Sequence, residues 1–184
     1  QVLRFAELPA GDVAALLTAA GVGAVQAAQI APLSGGSVAQ GLTLADPQRF
    51  AIIDAIARFA VGLGDQPPGQ GAVLSETLFT QIPEADEGDK STPAERERQF
   101  LLFAIDVLRS VLRDAMWTGC GLDPAALAHA AHAGGLQALA GRAAPERLAA
   151  AIATCQELEQ RLVFNPNPKL AWANLLVTLG QQLR

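Results

Sequence analysis

Tyrosine is absent from this 184-residue chain, lysine occurs only as Lys90 and Lys169, and cysteine only as Cys120 and Cys155. Two cysteines are too few for the disulfide framework of a small secreted domain and read as reduced thiols of a cytoplasmic protein. With 13 basic residues against 18 acidic ones and a net charge of -5, the chain has no basic patch with which to grip nucleic acid directly. No apolar run is long enough for a membrane span, so no membrane partner is expected. The first eight residues lack the basic stretch and long apolar segment of a signal peptide. Also missing are H-E-x-x-H, the P-loop, G-x-S-x-G and C-x-x-C, and with them any convergent acid, base or nucleophile. No catalytic site is expected.

What is present is alanine and leucine. Ala occurs 37 times and Leu 26 times, a third of the chain, and apolar residues reach 51%, which excludes a disordered segment. Both are strong helix formers and β-branched residues are sparse, so the fold class is all-α.

Helix starts are written into the sequence. Asp46-Pro47, Thr92-Pro93, Asp123-Pro124 and Asn167-Pro168 each set a capping side chain before a proline. The cap accepts an orphan amide, and proline at the first helical position has none to leave unsatisfied. Glu95 completes a capping box with Thr92. Helices are therefore predicted from about 47, 93, 124 and 168, with Pro145 opening another. Apolar stripes extend them: Ile52 to Leu63, Phe100 to Leu112 with an end near Thr118 at Gly119 and Gly121, Leu148 to Leu162, and Leu170 to Leu179. Helices of this kind pack into a bundle.

Residues 1–45 differ. Short helices fit about 10–20, 24–32 and 37–44, a compact three-helix unit, with a boundary near Asp46 and a helical domain over 46–184. Val2, Leu3 and Phe5 read as the end of a strand entered in mid-fold, so the chain looks like a piece of something longer. Gly62 to Gly71, with Pro67-Pro68, reads as a loop. Glu84, Asp86, Glu87 and Asp89 read as a solvated acidic connector, since the spacing of a calcium loop is missing.

A few side chains invite chemistry. His129 and His132 lie three apart on a predicted helix with Cys120 near in sequence, which makes a small metal enzyme a competing reading. No second pair with ligand spacing exists, so no metal site is assigned. Ser37, after Gly35 and Gly36, sits at a helix start that could form an anion nest. Asp106, Arg109 and Arg113 share one side of the long helix, with Arg96 and Arg98 in its first turn. They read as a charged helix face or a docking surface. Trp117 and Trp172 are of the type that anchors a core or an interface.

Four segments, taken in order, resemble bacterial DNA polymerase III clamp-loader subunits. Val2-Leu3-Arg4-Phe5-Ala6-Glu7-Leu8-Pro9 is similar to the strand leaving that family's nucleotide-binding domain. Leu33-Ser34-Gly35-Gly36-Ser37-Val38-Ala39-Gln40-Gly41-Leu42 is similar to its lid motif. Phe100 to Asp114, ending Leu112-Arg113-Asp114, is similar to its long collar helix. Asn165-Pro166-Asn167-Pro168-Lys169-Leu170, followed by Leu175-Leu176, is similar to its motif before the last helix. The resemblance implies a three-helix lid over 1–45 and a helical collar over 46–184, with the nucleotide-binding domain upstream and no cofactor in this part.

Motor members of the family carry an arginine two residues after the lid Gly-Ser, at the position of Ala39. A methyl group cannot stabilise phosphate charge. The resemblance thus implies the non-hydrolysing delta-prime branch rather than gamma/tau, with an adaptor unrelated to replication as the remaining alternative. Implied partners are the gamma/tau and delta subunits, with sliding clamp and primed DNA reached only through the assembly. Candidate subunit contacts are Arg109, Arg113, Trp117 and Trp172. In isolation a monomer or weak dimer is expected.

Overall fold

A capping side chain followed by proline opens three long helices in the computed structural model, which describes residues 6–67, 70–82, 91–123, 127–164 and 166–184. Asp46 accepts the Arg49 amide at 2.9 Å and starts α4, Pro47–Val61. Thr92 and Glu95 form the two-way capping box of α6, Pro93–Gly119, with the Thr92 amide 2.7 Å from Glu95 Oε2 and the Glu95 amide 3.2 Å from Thr92 Oγ1. Asn167 accepts the Leu170 amide at 3.0 Å and starts α9, Pro168–Gln182. Proline also opens α8, Pro145–Arg161. The remaining helices are α1, Ala10–Ala19, α2, Ala24–Ile30, α3, Val38–Leu44, α5, Gln70–Phe79, and α7, Ala133–Arg142. The described residues contain no strand, and the chain is all-α.

α6 is the axle. Its 27 residues span about 40 Å at the helical rise, and it touches α4, α7, α8 and α9. Leu101, Ala104, Leu108, Val111, Leu112 and Ala115 are fully buried along one stripe. Ile52 and Ile56 of α4, Leu136 and Leu139 of α7, Ala151 of α8 and Trp172 of α9 belong to the same core. Phe79 at the end of α5 meets Phe100 edge to face at 5.5 Å, an arrangement the ring quadrupoles favour. Gly121, at φ +82°, lets the chain turn away after Cys120.

α1 to α3 pack on one another, and α3 meets α4. Val13, Leu17, Ala27, Ile30 and Leu44 are their buried anchors. At Gly41 the helices approach so closely that a Cβ would come within 2.9 Å of the Leu17 side chain.

Three expectations need correction. Gln70 and Gly71 are helical rather than loop: α5 starts directly after the Pro67 region and Gly71 lies against Leu176 of α9, where a Cβ would come within 2.9 Å. A helix carrying His129 and His132 together is not found. Residues 124–126 lie outside the described ones, His129 sits in a turn, Ala130–His132 is a 3-10 turn, and the α-helix begins at Ala133. The cause is tertiary: the Asp114 carboxylate takes the His129 amide at 2.8 Å, and that amide is lost to a regular helix. Trp172, finally, is wholly buried among the bundle helices and presents no surface to a neighbour. The strand end at Val2, Leu3 and Phe5, the acidic residues Glu84, Asp86, Glu87 and Asp89, and Asn165 of the terminal motif lie outside the described residues. No helix of the described residues is long and apolar enough to cross a membrane.

Candidate functional site

At the lid-like motif, Gly35 and Gly36 take φ +56° and +75°, the left-handed turn that glycine accepts without penalty. A Cβ at Gly36 would come within 2.7 Å of both the Glu7 Cβ and the Leu8 amide, so the chain entering the fold is laid directly over this turn. Ser37 caps α3, its hydroxyl accepting the Gln40 amide at 3.2 Å. The hydroxyl is spent on the helix, and α3 has only seven residues. Ala39 is exposed on the first turn and brings a methyl group where charge would be needed to meet a phosphate. Nothing in this motif supplies electrostatic work.

The charged side of α6 divides into two parts. Arg109 ties its own helix to α8, binding Asp106 and reaching Glu159 Oε2 at 2.9 Å. Burial pushes the Asp106 carboxyl above its usual range, with the neighbouring Arg109 acting against that rise. These three residues form an internal brace between helices. One turn on, Arg113 stacks over the Trp117 ring at 4.9 Å from its centroid, a cation–π pair at the surface. Trp117 remains 38% exposed, and Leu122 beside it in sequence 44%. Arg113 and Trp117 are thus brought together in an accessible position, whereas Arg109 is engaged and Trp172 is inside.

Behind that pair lies a buried polar cluster that sequence reasoning missed. Asp114 and His129 are both buried. Asp114 Oδ2 accepts the His129 amide, and Oδ1 lies 3.5 Å from Arg113 Nη2. The His129 Nε2 is 2.6 Å from Ser110 Oγ. Because the Ser110 hydroxyl donates to the Val107 carbonyl at 2.7 Å, it accepts from histidine, which fixes the proton on Nε2. Burial, with lesser contributions from His132 and Arg113, pulls the His129 pKa down to about 4, so the ring is neutral at pH 7. Burial likewise raises Asp114, against the bonds it accepts. The signal was visible in one respect: Asp114 follows Val107 and Val111 on the apolar stripe, where a carboxylate needs a buried partner.

His132 faces elsewhere, with Nε2 3.0 Å from Asp54 of α4, which also pairs with Arg58. The two histidines therefore address different helices and Cys120 is exposed on its own. Among the described residues no three His, Cys, Asp or Glu side chains gather as metal ligands. Cys155 is buried, and burial pushes its thiol up to about 12, which keeps it protonated and unreactive.

Residues 98–181, a little under half of the chain, match the family model described as DNA polymerase III, delta subunit, C terminal. No curated protein and no solved structure matches the chain. The matched segment starts in the first turns of α6 and runs through α7 and α8 into α9, the part of the molecule organised around the α6 axle. A braced helical bundle, an exposed Arg113–Trp117 pair and this match indicate a clamp-loader subunit of DNA polymerase III.

Proposed function

We propose that the chain is the C-terminal part of a non-hydrolysing clamp-loader subunit, of the delta-prime kind, that holds its sister subunits in place while the sliding clamp is loaded. The match over residues 98–181 carries this reading. Within it, residues 46–184 serve as the collar and the three-helix unit up to residue 45 as the lid. Ala39 supports a lid that does not read the nucleotide, because no cation stands where a terminal phosphate would need one. Work of this sort calls for apolar and aromatic anchors flanked by charge rather than for catalytic groups. Arg113 and Trp117 are the proposed contacts, with Arg109 holding the helix pair that presents them. Gamma/tau and delta subunits are the proposed partners, in the cytoplasm, with clamp and primed DNA met only through the assembly.

The test uses the full-length parent protein mixed with gamma/tau and delta subunits and separated by size. The expected result is incorporation into a five-subunit complex, weakened at least ~10-fold by Trp117→Ala, in keeping with loss of an aromatic anchor. Failure of the full-length protein to join the complex overturns the assignment.

A further inference from the structure

Three apolar side chains around the connection between α8 and α9 stand in solvent: Phe164 is 83% exposed, Val163 74% and Leu170 62%. Isolated exposed apolar residues need no explanation, but a group of them beside a concave surface does. Here they border a groove of about 440 Å³ between the two helices. One wall is Thr154, Glu157, Leu158 and Arg161, a single face of α8 over two turns; the other includes Leu170, Asn174 and Thr178 of α9.

We propose that this groove is closed by a second copy of the chain, with the two α8 helices antiparallel across a two-fold axis. The charges argue for this occupant. Glu157 and Arg161 form an i, i+4 pair at 3.6 Å, with side chains 63% and 72% exposed. A two-fold axis midway between them sets Glu157 of each copy against Arg161 of the other, so the patch is complementary to itself, as an isologous contact requires. The same register brings Phe164 opposite Thr154 of the second copy, which places the most exposed ring into the far end of the facing groove. The surface is small: twelve residues line it, against about 20–30 per side in a standard interface. The dimer is therefore weak and concentration-dependent. This inference uses only the groove and its charges, and it stands independently of the replication reading.

Sedimentation of the 184-residue chain across roughly two decades of concentration, into the high-micromolar range, tests it. The wild type is expected to dimerise with a Kd on the order of 100 µM. Phe164→Glu is expected to weaken the dimer at least ~10-fold with the helical circular dichroism unchanged, since the side chain is in solvent. Glu157→Arg and Arg161→Glu, each alone, bring like charges together and are expected to be monomeric. An equimolar mixture of the two restores both cross-pairs and is expected to associate. A wild type that stays monomeric throughout, or a mixture that fails to associate where the wild type does, overturns the proposal. So does a monomeric wild type whose Phe164→Glu variant no longer joins sister subunits, which gives the groove to a different chain.

Discussion

The unit of α1 to α3 and the bundle around α6 solve the same problem, making helices from alanine and leucine, in different ways. No helix of the first unit exceeds ten residues, and α3 has seven. Helices that short are marginal alone and depend on glycine turns, a serine cap and a handful of buried side chains. The bundle instead rests on one 27-residue helix buried along its length. The lesson is where a local change is felt. In the bundle a buried side chain is shared by several helices and its loss is global; in the first unit a turn or a cap holds much of a helix by itself.

The largest effect expected is that of Leu108→Ala, a wholly buried leucine in the middle of the axle. Such a deletion costs roughly 2–5 kcal/mol, and urea unfolding is expected to show the whole loss in the bundle's transition. Leu17→Ala removes the same group from the first unit, where Leu17 is equally buried. Hydrogen exchange is expected to lose protection across α1 to α3 while the amides of α6 keep theirs. Equal loss in α6 would merge the two regions into one cooperative unit.

The second test is acid. His129 is neutral in the native bundle, with a pKa near 4 against an ordinary 6.5. Its contribution is fully present above pH 6.5 and is lost as pH falls toward 4, because the unfolded chain takes the proton first. At pH 5 the loss is about 2 kcal/mol. Asp114, whose pKa is raised, works the other way: the native state accepts its proton more readily, which offsets part of the loss at the acid end. Urea midpoints from pH 7 to 5 are expected to fall for the wild type and to flatten in His129→Asn. An equal slope in both would assign the acid sensitivity elsewhere.

Much of this architecture was legible in the sequence because its helix starts are chemical. Asp46, Thr92 and Asn167 act locally, on amides three residues away, and each is found doing so. What was not legible depends on partners distant in sequence. The turn at His129 is dictated by Asp114, fifteen residues earlier, and no local pattern announces it. α5 is short, and its placement depends on Gly71 lying against Leu176 a hundred residues on. Trp117 and Trp172 look alike as residue types. Only the packing of α9 against α5, α6 and α8 sets one at the surface and the other in the core.

Gly36→Ala sharpens the contrast from the side of the first unit. A left-handed backbone costs a non-glycine residue roughly 1–2 kcal/mol, and the added methyl would also press on Glu7 and the Leu8 amide at 2.7 Å. The expected result is loss of protection at the Leu8 amide, which reaches the Gly36 carbonyl at 3.4 Å, and in α3, with no change in the bundle. Unchanged exchange in α3 would mean that its packing, rather than this turn, fixes it.

Removing a cap is the smallest and most discriminating change. Ser37→Ala and Thr92→Ala each delete one accepting hydroxyl, a loss of about 1 kcal/mol at a helix start. A missing cap frays the first turn. In α3 that turn is half of a seven-residue helix, and what remains has few bonds left to hold it. In α6 the first turn precedes a long stretch already buried from Phe100 onward, so fraying stops where packing begins. Exchange is therefore expected to accelerate throughout 38–44 in Ser37→Ala, but only at the start of α6 in Thr92→Ala, with Leu101 and beyond unaffected. If Thr92→Ala instead loosens the whole of α6, the axle is held by its end rather than by its flank, and the proposed division of labour between the two regions fails.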